Sequence, residues 1–239
     1  MNYLKKSVLT IKGAIFPRKC IICTQVLTKP HQKYLCDACE HYILKDHICP
    51  RCGKPYYLEE KESCIFCEKV SLPFSRLIGI FPYRGQCKES VLRWKYYGIR
   101  KYAKGFSHIL ISHLKVLDDL DIEALIPVPI APGRFKKRGF NQALDFAKNI
   151  SLIKNIPVFD ILIRDTDTIP QSQCSREKRR KNIRGIIKLK QIHSLKDINN
   201  IAIIDDIYTS GSTVEECVHV LCKEKAFKKI YVLVVCLGI

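Results

Sequence analysis

The chain is organised as an α/β domain with a mostly parallel sheet, preceded by a small cysteine-rich module. Three observations lead there. Short apolar runs alternate with helical periodicity after residue 74, eight of the 13 cysteines fall before residue 68, and a hydroxyl-rich turn follows the strongest strand. Strands that alternate with helices imply a parallel sheet with helices on its faces. At 239 residues there is enough chain for one large domain or two small ones. The expected division is an N-terminal amphipathic helix over 1–16, the cysteine module over 17–70 and the α/β domain over 74–239.

Met1–Phe16 places Lys5 and Lys6 ahead of Val8, Leu9, Ile11, Ala14 and Ile15, but Lys12 interrupts the apolar run and no small-residue cleavage site follows. It reads as a short amphipathic helix rather than an export signal. No run approaches the ~20 apolar residues of a membrane span. A cytoplasmic location with reduced thiols is the expectation.

Four Cys-x-x-Cys pairs follow, Cys20/Cys23, Cys36/Cys39, Cys49/Cys52 and Cys64/Cys67. Such clustering belongs to a disulfide framework or a zinc module, and nothing in the sequence indicates export. Two knuckles separated by about a dozen residues form a zinc ribbon, so sequential pairing gives two closed four-thiolate sites and about two zinc ions. Spacing alone also permits interleaved pairing, first with third and second with fourth. A module this small has no core of its own, and metal would supply most of its folding energy. His31, His41 and His47 are read as surface or packing residues, because four thiolates fill each site. Ile21, Ile22, Tyr56 and Tyr57 are candidates for exposed apolar residues that dock a partner.

Residues 74–85 read as a strand and turn, and 86–97 as a helix ended by Gly98. A second helix is expected over 101–117. Leu125-Ile-Pro-Val-Pro129 is a short strand leading into a rigid loop, Asn141 to Ile153 has the apolar spacing of a helix, and a weaker strand lies around 158–163. Residues 165–182 are polar, rich in Arg and Lys, and read as a mobile loop. Strands near 201–204 and 230–236 flank a helix over 214–225.

The segment Ile201–Thr213 carries the chemistry. Four apolar residues end in Asp205 and Asp206, and Thr209, Ser210, Gly211, Ser212 and Thr213 turn into the next helix. Backbone N–H groups at a helix N-terminus, joined by hydroxyls, make a receptor for a phosphate dianion, and Gly211 allows close approach. The two carboxylates can accept from vicinal ribose hydroxyls or hold hydrated Mg²⁺. The plain alternative is an ordinary capped helix. Ligands of parallel sheets bind beyond the strands' carboxyl ends, where these acids are expected.

Net charge is +18, and residues 134–190 alone carry 15 Lys and Arg against 5 acids. Two tetrathiolate zinc sites would lower the total to about +14. This favours a polyanionic partner, although a basic surface also serves solubility. Arg134, Lys136, Lys137 and Arg138 lie just past the strand containing Ile126, where they can neutralise a pyrophosphate or form a solvated basic turn. Arg176, Lys178, Arg179, Arg180, Lys181 and Arg184 can close over a pyrophosphate or track a nucleic-acid backbone. Trp94, Tyr96, Tyr97, Tyr102, Phe135 and Phe140 interleave with basic residues such as Arg93, Lys95, Arg100 and Lys101, and each is either core or a stacking platform for single-stranded bases.

The Ile201–Thr213 segment resembles the phosphoribosyl pyrophosphate fingerprint of type I phosphoribosyltransferases. That resemblance implies a type I phosphoribosyltransferase-like fold, with Asp205 and Asp206 on the ribose, Thr209 to Thr213 on the 5-phosphate, and Mg²⁺ accompanying the pyrophosphate. Ser210 and Ser212 stand where Thr, Gly or Ala are common. With Pro127-Val-Pro129, Arg134, Lys137-Arg-Gly-Phe-Asn-Gln142, Arg164, Thr168, Gln171, Arg176, Arg179, Arg180 and Asn182, nearly the whole chain, about Phe16 to Leu237, resembles the ComF family. That family joins a cysteine-rich zinc ribbon to a phosphoribosyltransferase-like domain. The resemblance implies a cytoplasmic factor of natural transformation that handles incoming single-stranded DNA, with competence DNA-uptake proteins as partners and recruitment to the membrane uptake machinery.

Three functions compete. One is a single-strand-binding competence protein whose pocket takes phosphoribosyl pyrophosphate or a related ribose phosphate. Another is an active transferase that passes the phosphoribosyl group to a nitrogen acceptor. Against it, the sequence stops at Ile239 directly after the last strand, and residues 74–124 show no evident base-recognition group. The third is a bridging module that docks proteins through its ribbon. The remaining cysteines, Cys87, Cys174, Cys217, Cys222 and Cys236, give no separate signal, and most read as small core residues.

Overall fold

The computed structural model describes residues 17–45, 48–49, 51–54, 64–114, 117–166, 183–190 and 195–238. In chain order its elements are α1 (Ile65–Lys69), β1 (Arg76–Pro82), α2 (Gly85–Tyr97), α3 (Lys101–Leu114), β2 (Ala124–Pro127), α4 (Pro132–Arg138), α5 (Gln142–Lys154), β3 (Leu162–Arg164), β4 (Ile187–Leu189), β5 (Asn200–Tyr208), α6 (Ser212–Glu224) and β6 (Lys229–Leu237). The 3-10 turn Asp37–Tyr42 precedes them. The expected N-terminal helix and the basic residues Arg176, Lys178, Arg179, Arg180 and Lys181 lie outside the described residues.

β1, β6, β5 and β2 form, in that order, a sheet in which every neighbouring pair is parallel. Strands covered on both faces need apolar side chains at every position rather than at alternate ones. Ile201–Ile204 and Val232–Cys236 meet that demand, and all are fully buried. Alternate residues divide between two cores. Ala202, Ile204, Leu233 and Val235 face the layer of α2, α3 and α5, where Trp94 packs against Phe106 and Phe146 with ring centroids 5.5 and 6.4 Å apart. Ile201, Ile203, Val232 and Val234 face Val214, Val218 and Leu221 of α6.

Several boundaries follow local chemistry. α2 stops at Gly98, whose φ of 62° is left-handed, as its sequence predicts. Asn141 begins α5 by accepting from the Ala143 amide at 3.0 Å, while its side-chain amide donates to the Val128 carbonyl at 3.0 Å. One residue thus caps a helix and ties it to the end of β2. Residues 134–138, for which a solvated basic turn is one of two readings, form the short helix α4, because Pro132 sits at its start and Gly139 at its end.

Other expectations need correcting. The strand around 158–163 is broken in two. Pro157 and Phe159 bond to Leu125 at the edge of β2, and the chain then leaves to form β3, antiparallel to β4. β5 continues through Asp205 and Asp206 to Tyr208, four residues past the predicted end, because β6 still pairs with it there.

The cysteine module lies against the sheet edge and the α2–α3 layer. Leu77 donates to the Arg51 carbonyl and Leu44 donates to the Ile80 carbonyl, both at 2.9 Å, so part of the outer edge of β1 is covered. Ile21 and Ile22, expected to be exposed for a partner, are instead buried in the same core as Trp94 and Phe106. Ile21 and Tyr34 press on Gly105 of α3 so closely that a methyl group there would crowd both, and Tyr34 stacks on His108 at 4.9 Å. Arg93 of α2 donates to the Ile22 carbonyl and to the Tyr102 hydroxyl. Tyr56 and Tyr57 lie outside the described residues.

Leu237 joins these parts, since it fills the space above both Gly79 of β1 and Gly53 of the second knuckle. A Gly79→Val chain should therefore lose about 1–3 kcal/mol of stability by overpacking, measured by urea unfolding.

Candidate functional site

The thiols gather into two groups, Cys20, Cys23, Cys36, Cys39 and Cys49, Cys52, Cys64, Cys67, and within each group all sulfur atoms lie within 4.8 Å of one another. Pairing is therefore sequential. Sulfur separations of 3.6 Å for Cys23–Cys36, 3.7 Å for Cys49–Cys67 and 3.6 Å for Cys52–Cys64 approach the ~3.8 Å edge of a tetrahedron built on Zn–S bonds of about 2.3 Å. The donor sets fit two zinc ions. Burial pushes the Cys36, Cys39, Cys52 and Cys67 thiols up, Cys67 to about 11. Burial opposes ionisation at Cys20 and Cys64 too, but backbone N–H groups from Cys23, Cys36 and Ile22, and from Cys67 and Phe66, outweigh it and hold these two thiols low. A metal must thus displace protons, which makes its affinity pH-dependent. His31 pairs with Asp37 and His41 lies against Tyr42, so neither joins a thiol group. His47 lies outside the described residues.

A cavity of about 600 Å³ opens at the carboxyl ends of β2 and β5. β5 supplies Asp205 and Asp206, the following turn supplies Thr209 and Thr213, and α4 supplies Arg134, Lys137 and Arg138 across from them. Seven of the residues singled out in the sequence thus share one space. Ser210, Gly211 and Ser212 do not line it. The two hydroxyls are buried and 2.9 Å apart, bracing the turn. Gly211 has a φ of 81° directly below the Tyr208 hydroxyl, where any Cβ would collide.

Lys95 of α2, which the sequence marks only as one of the basic residues among the aromatics, places its ammonium 2.8 Å from Asp206, with the two side chains only 12 % and 15 % exposed. Asp205 accepts the Asp206 amide at 2.7 Å. Its carboxyl is pushed up to about 7, first by burial and then by the Asp206 charge, against the pull of the Asp206 amide, Lys95 and Arg134. Gln142 is 2 % exposed, accepts from Arg138 at 3.0 Å and leaves its Nε2 without a partner among the described residues. Arg164 is buried in the same wall. Tyr83 and Tyr96 complete the rim, and Tyr96 lies under Arg138 and Lys137 at 5.1 and 5.8 Å. Gln142 and Arg164 had a signal in the family pattern. For Lys95 the sequence offered none, because only the seating of Trp94 decides which flank of α2 meets β5.

The six aromatic candidates divide. Trp94, Tyr102 and Phe140 are buried and act as core, whereas Tyr96, Tyr97 and Phe135 are exposed. Arg184 is exposed just after the basic segment.

Comparison with known proteins agrees with this anatomy. Residues 11–69 match the double zinc ribbon domain family. The chain is similar to competence protein ComFC of Bacillus subtilis, 29% identical over 197 residues that cover 79% of this chain and 77% of that one. It is 27% identical to competence protein F of Haemophilus influenzae over 79% of this chain and 84% of that protein. It is 25% identical to the DNA utilization protein YhgH of Escherichia coli O157:H7 over 88% and 93%. The resemblance to the ComF family holds. The likeness to ComFC runs well beyond the ribbon, since 197 aligned residues far exceed the segment 11–69.

Each chain should retain two zinc ions by elemental analysis, with Cys36→Ser and Cys64→Ser each losing one. Because the first ribbon is part of the α2–α3 core, chelation should lower the thermal midpoint of the whole chain rather than melt a separate module.

Asp205 makes stability depend on pH. Its folded value lies above the ordinary 3.8, so its contribution is complete below about 4 and is lost as pH rises through about 7. Asp205→Asn should gain stability relative to the parent chain across that window, measured by urea unfolding at a series of pH values.

Proposed function

We propose that the cavity binds phosphoribosyl pyrophosphate or a related ribose phosphate, and that the protein handles single-stranded DNA during natural transformation. The observation that carries the pocket assignment is the convergence of Asp205, Asp206, Thr209 and Thr213 with Arg134, Lys137 and Arg138 around one cavity. In this assignment the carboxylates accept from ribose hydroxyls, Thr209 and Thr213 hold the 5-phosphate on a turn braced by Ser210 and Ser212, and the α4 cations neutralise pyrophosphate. The names of the relatives, competence and DNA utilization proteins, support a role in transformation. No helix among the described residues is long and apolar enough to cross a membrane. A cytoplasmic site of action, with recruitment to DNA-uptake proteins at the membrane, fits that role.

For DNA, the exposed Tyr96 offers a stacking face beside Lys137 and Arg138, Tyr97 is exposed on the same helix, and the basic run from Arg176 to Arg184 would supply phosphate contacts. The ribbon (17–70) and the phosphoribosyltransferase-like part (74–239) would work as one body, because Ile21 and Ile22 share a core with Trp94. One observation favours an active transferase as a second reading. A carboxyl with a value near 7, as at Asp205, is suited to move a proton at neutral pH. Pyrophosphate release on adding a nitrogen acceptor would support that reading.

Asp205→Asn combined with Asp206→Asn should weaken binding of phosphoribosyl pyrophosphate by roughly a hundredfold or more, since each charge-assisted hydrogen bond contributes about 1.5–3 kcal/mol. Unchanged affinity in calorimetric titration would overturn the pocket assignment. Fluorescence anisotropy of a single-stranded oligonucleotide should show binding that weakens with salt, and Gln at Arg179, Arg180 and Arg184 should flatten that dependence.

A further inference from the structure

Lys95 holds a position that a divalent cation would otherwise contest. Trp94, fully buried between Phe106 and Phe146, sets the rotation of α2 and so delivers its neighbour Lys95 to the cavity. There its ammonium meets Asp206 in a contact largely withdrawn from water. Asp205 already accepts the Asp206 amide through one oxygen. A magnesium ion, which keeps its waters, would have to displace that ammonium to use the same Asp206 oxygen. With the Asp206 charge already neutralised by Lys95, the acid pair fits a divalent ion poorly.

The cavity also carries its own cationic excess. Among the described residues, Lys95, Arg134, Lys137, Arg138 and Arg164 line it against two carboxylates, Asp205 and Asp206. An ammonium has three donors, so Lys95 can keep Asp206 and still reach a ligand phosphate oxygen.

We infer that Lys95 is the pocket's built-in counter-cation and allows a phosphoribosyl pyrophosphate-type ligand to bind without a divalent metal. This inference rests on the phosphoribosyl reading of the cavity. Lys95 acts as a specificity-determining residue: it sets which form of the ligand, free or metal-bound, the site accepts. A merely structural Lys95, bracing α2 against β5, would stabilise the fold without altering metal dependence, and this difference is measurable.

The test is calorimetric titration of the zinc-loaded full chain with phosphoribosyl pyrophosphate. It is run in buffer cleared of divalent ions on chelating resin, which spares the structural zinc, and again with magnesium added. The parent chain and Lys95→Arg should bind with affinities within about threefold in the two buffers. Lys95→Met should bind at least about tenfold more weakly without magnesium and recover when it is added. Zinc content and far-ultraviolet circular dichroism identify a variant that has failed to fold, and the parent chain alone still decides the question. Binding by the parent chain only in the presence of magnesium would overturn the inference while leaving the pocket assignment standing. An equal loss for Lys95→Met in both buffers would overturn it too, by reducing Lys95 to a structural role. No binding by the parent chain in either buffer would overturn the pocket assignment and this inference with it.

Discussion

A parallel sheet covered on both faces is the constraint on which the rest of the structure depends. It demands apolar side chains at every position of its inner strands, and β5 and β6 supply them. It also brings all four carboxyl ends to one edge. Polar and charged side chains at that edge converge on one space, where ligands of such sheets bind. Asp205 and Asp206 mark the place on β5 where apolar residues give way to this edge. The pocket is thus a consequence of topology before it is a matter of specific residues.

The same constraint explains the cysteine module. Each ribbon is too small to fold on its own apolar content, and tetrathiolate binding supplies a local framework. Ile21 and Ile22, between two thiols, are then free to sink into the α2–α3 core, while the Arg51 and Leu44 backbone covers part of the edge of β1. Metal, sheet edge and helical layer stabilise one another, with Leu237 packed against Gly53 of the ribbon and Gly79 of the sheet.

Features written in spacing could be read directly from the chain. The Cys-x-x-Cys pairs, the unbroken apolar runs of β5 and β6, the stop at Gly98 and the acid pair ahead of a hydroxyl-rich turn are local patterns with local causes. What escaped depends on tertiary packing. Whether Ile22 faces a partner or its own chain is decided by Arg93 and Phe106, far away in sequence. Lys95 looks like any solvated helix lysine until Trp94 is seated. β4 is three residues long, too short for a periodic signal, and the chain before β3 is diverted because Leu125 offers it backbone partners. Spacing left the zinc pairing open, and proximity of the sulfurs resolves it.

The excess of positive charge takes on a location once the fold is known. Among the described residues, five cationic side chains crowd a cavity lined by two carboxylates, and one of those carboxylates is already paired. Such a site favours a compact polyanion. The most direct measurement is amide hydrogen exchange of the zinc-loaded chain with and without phosphoribosyl pyrophosphate. Slowed exchange concentrated in residues 205–213 and 131–143 is the expected result. Exchange unchanged in both segments, or slowed only elsewhere, would contradict the assignment of this cavity to a phosphoribosyl ligand.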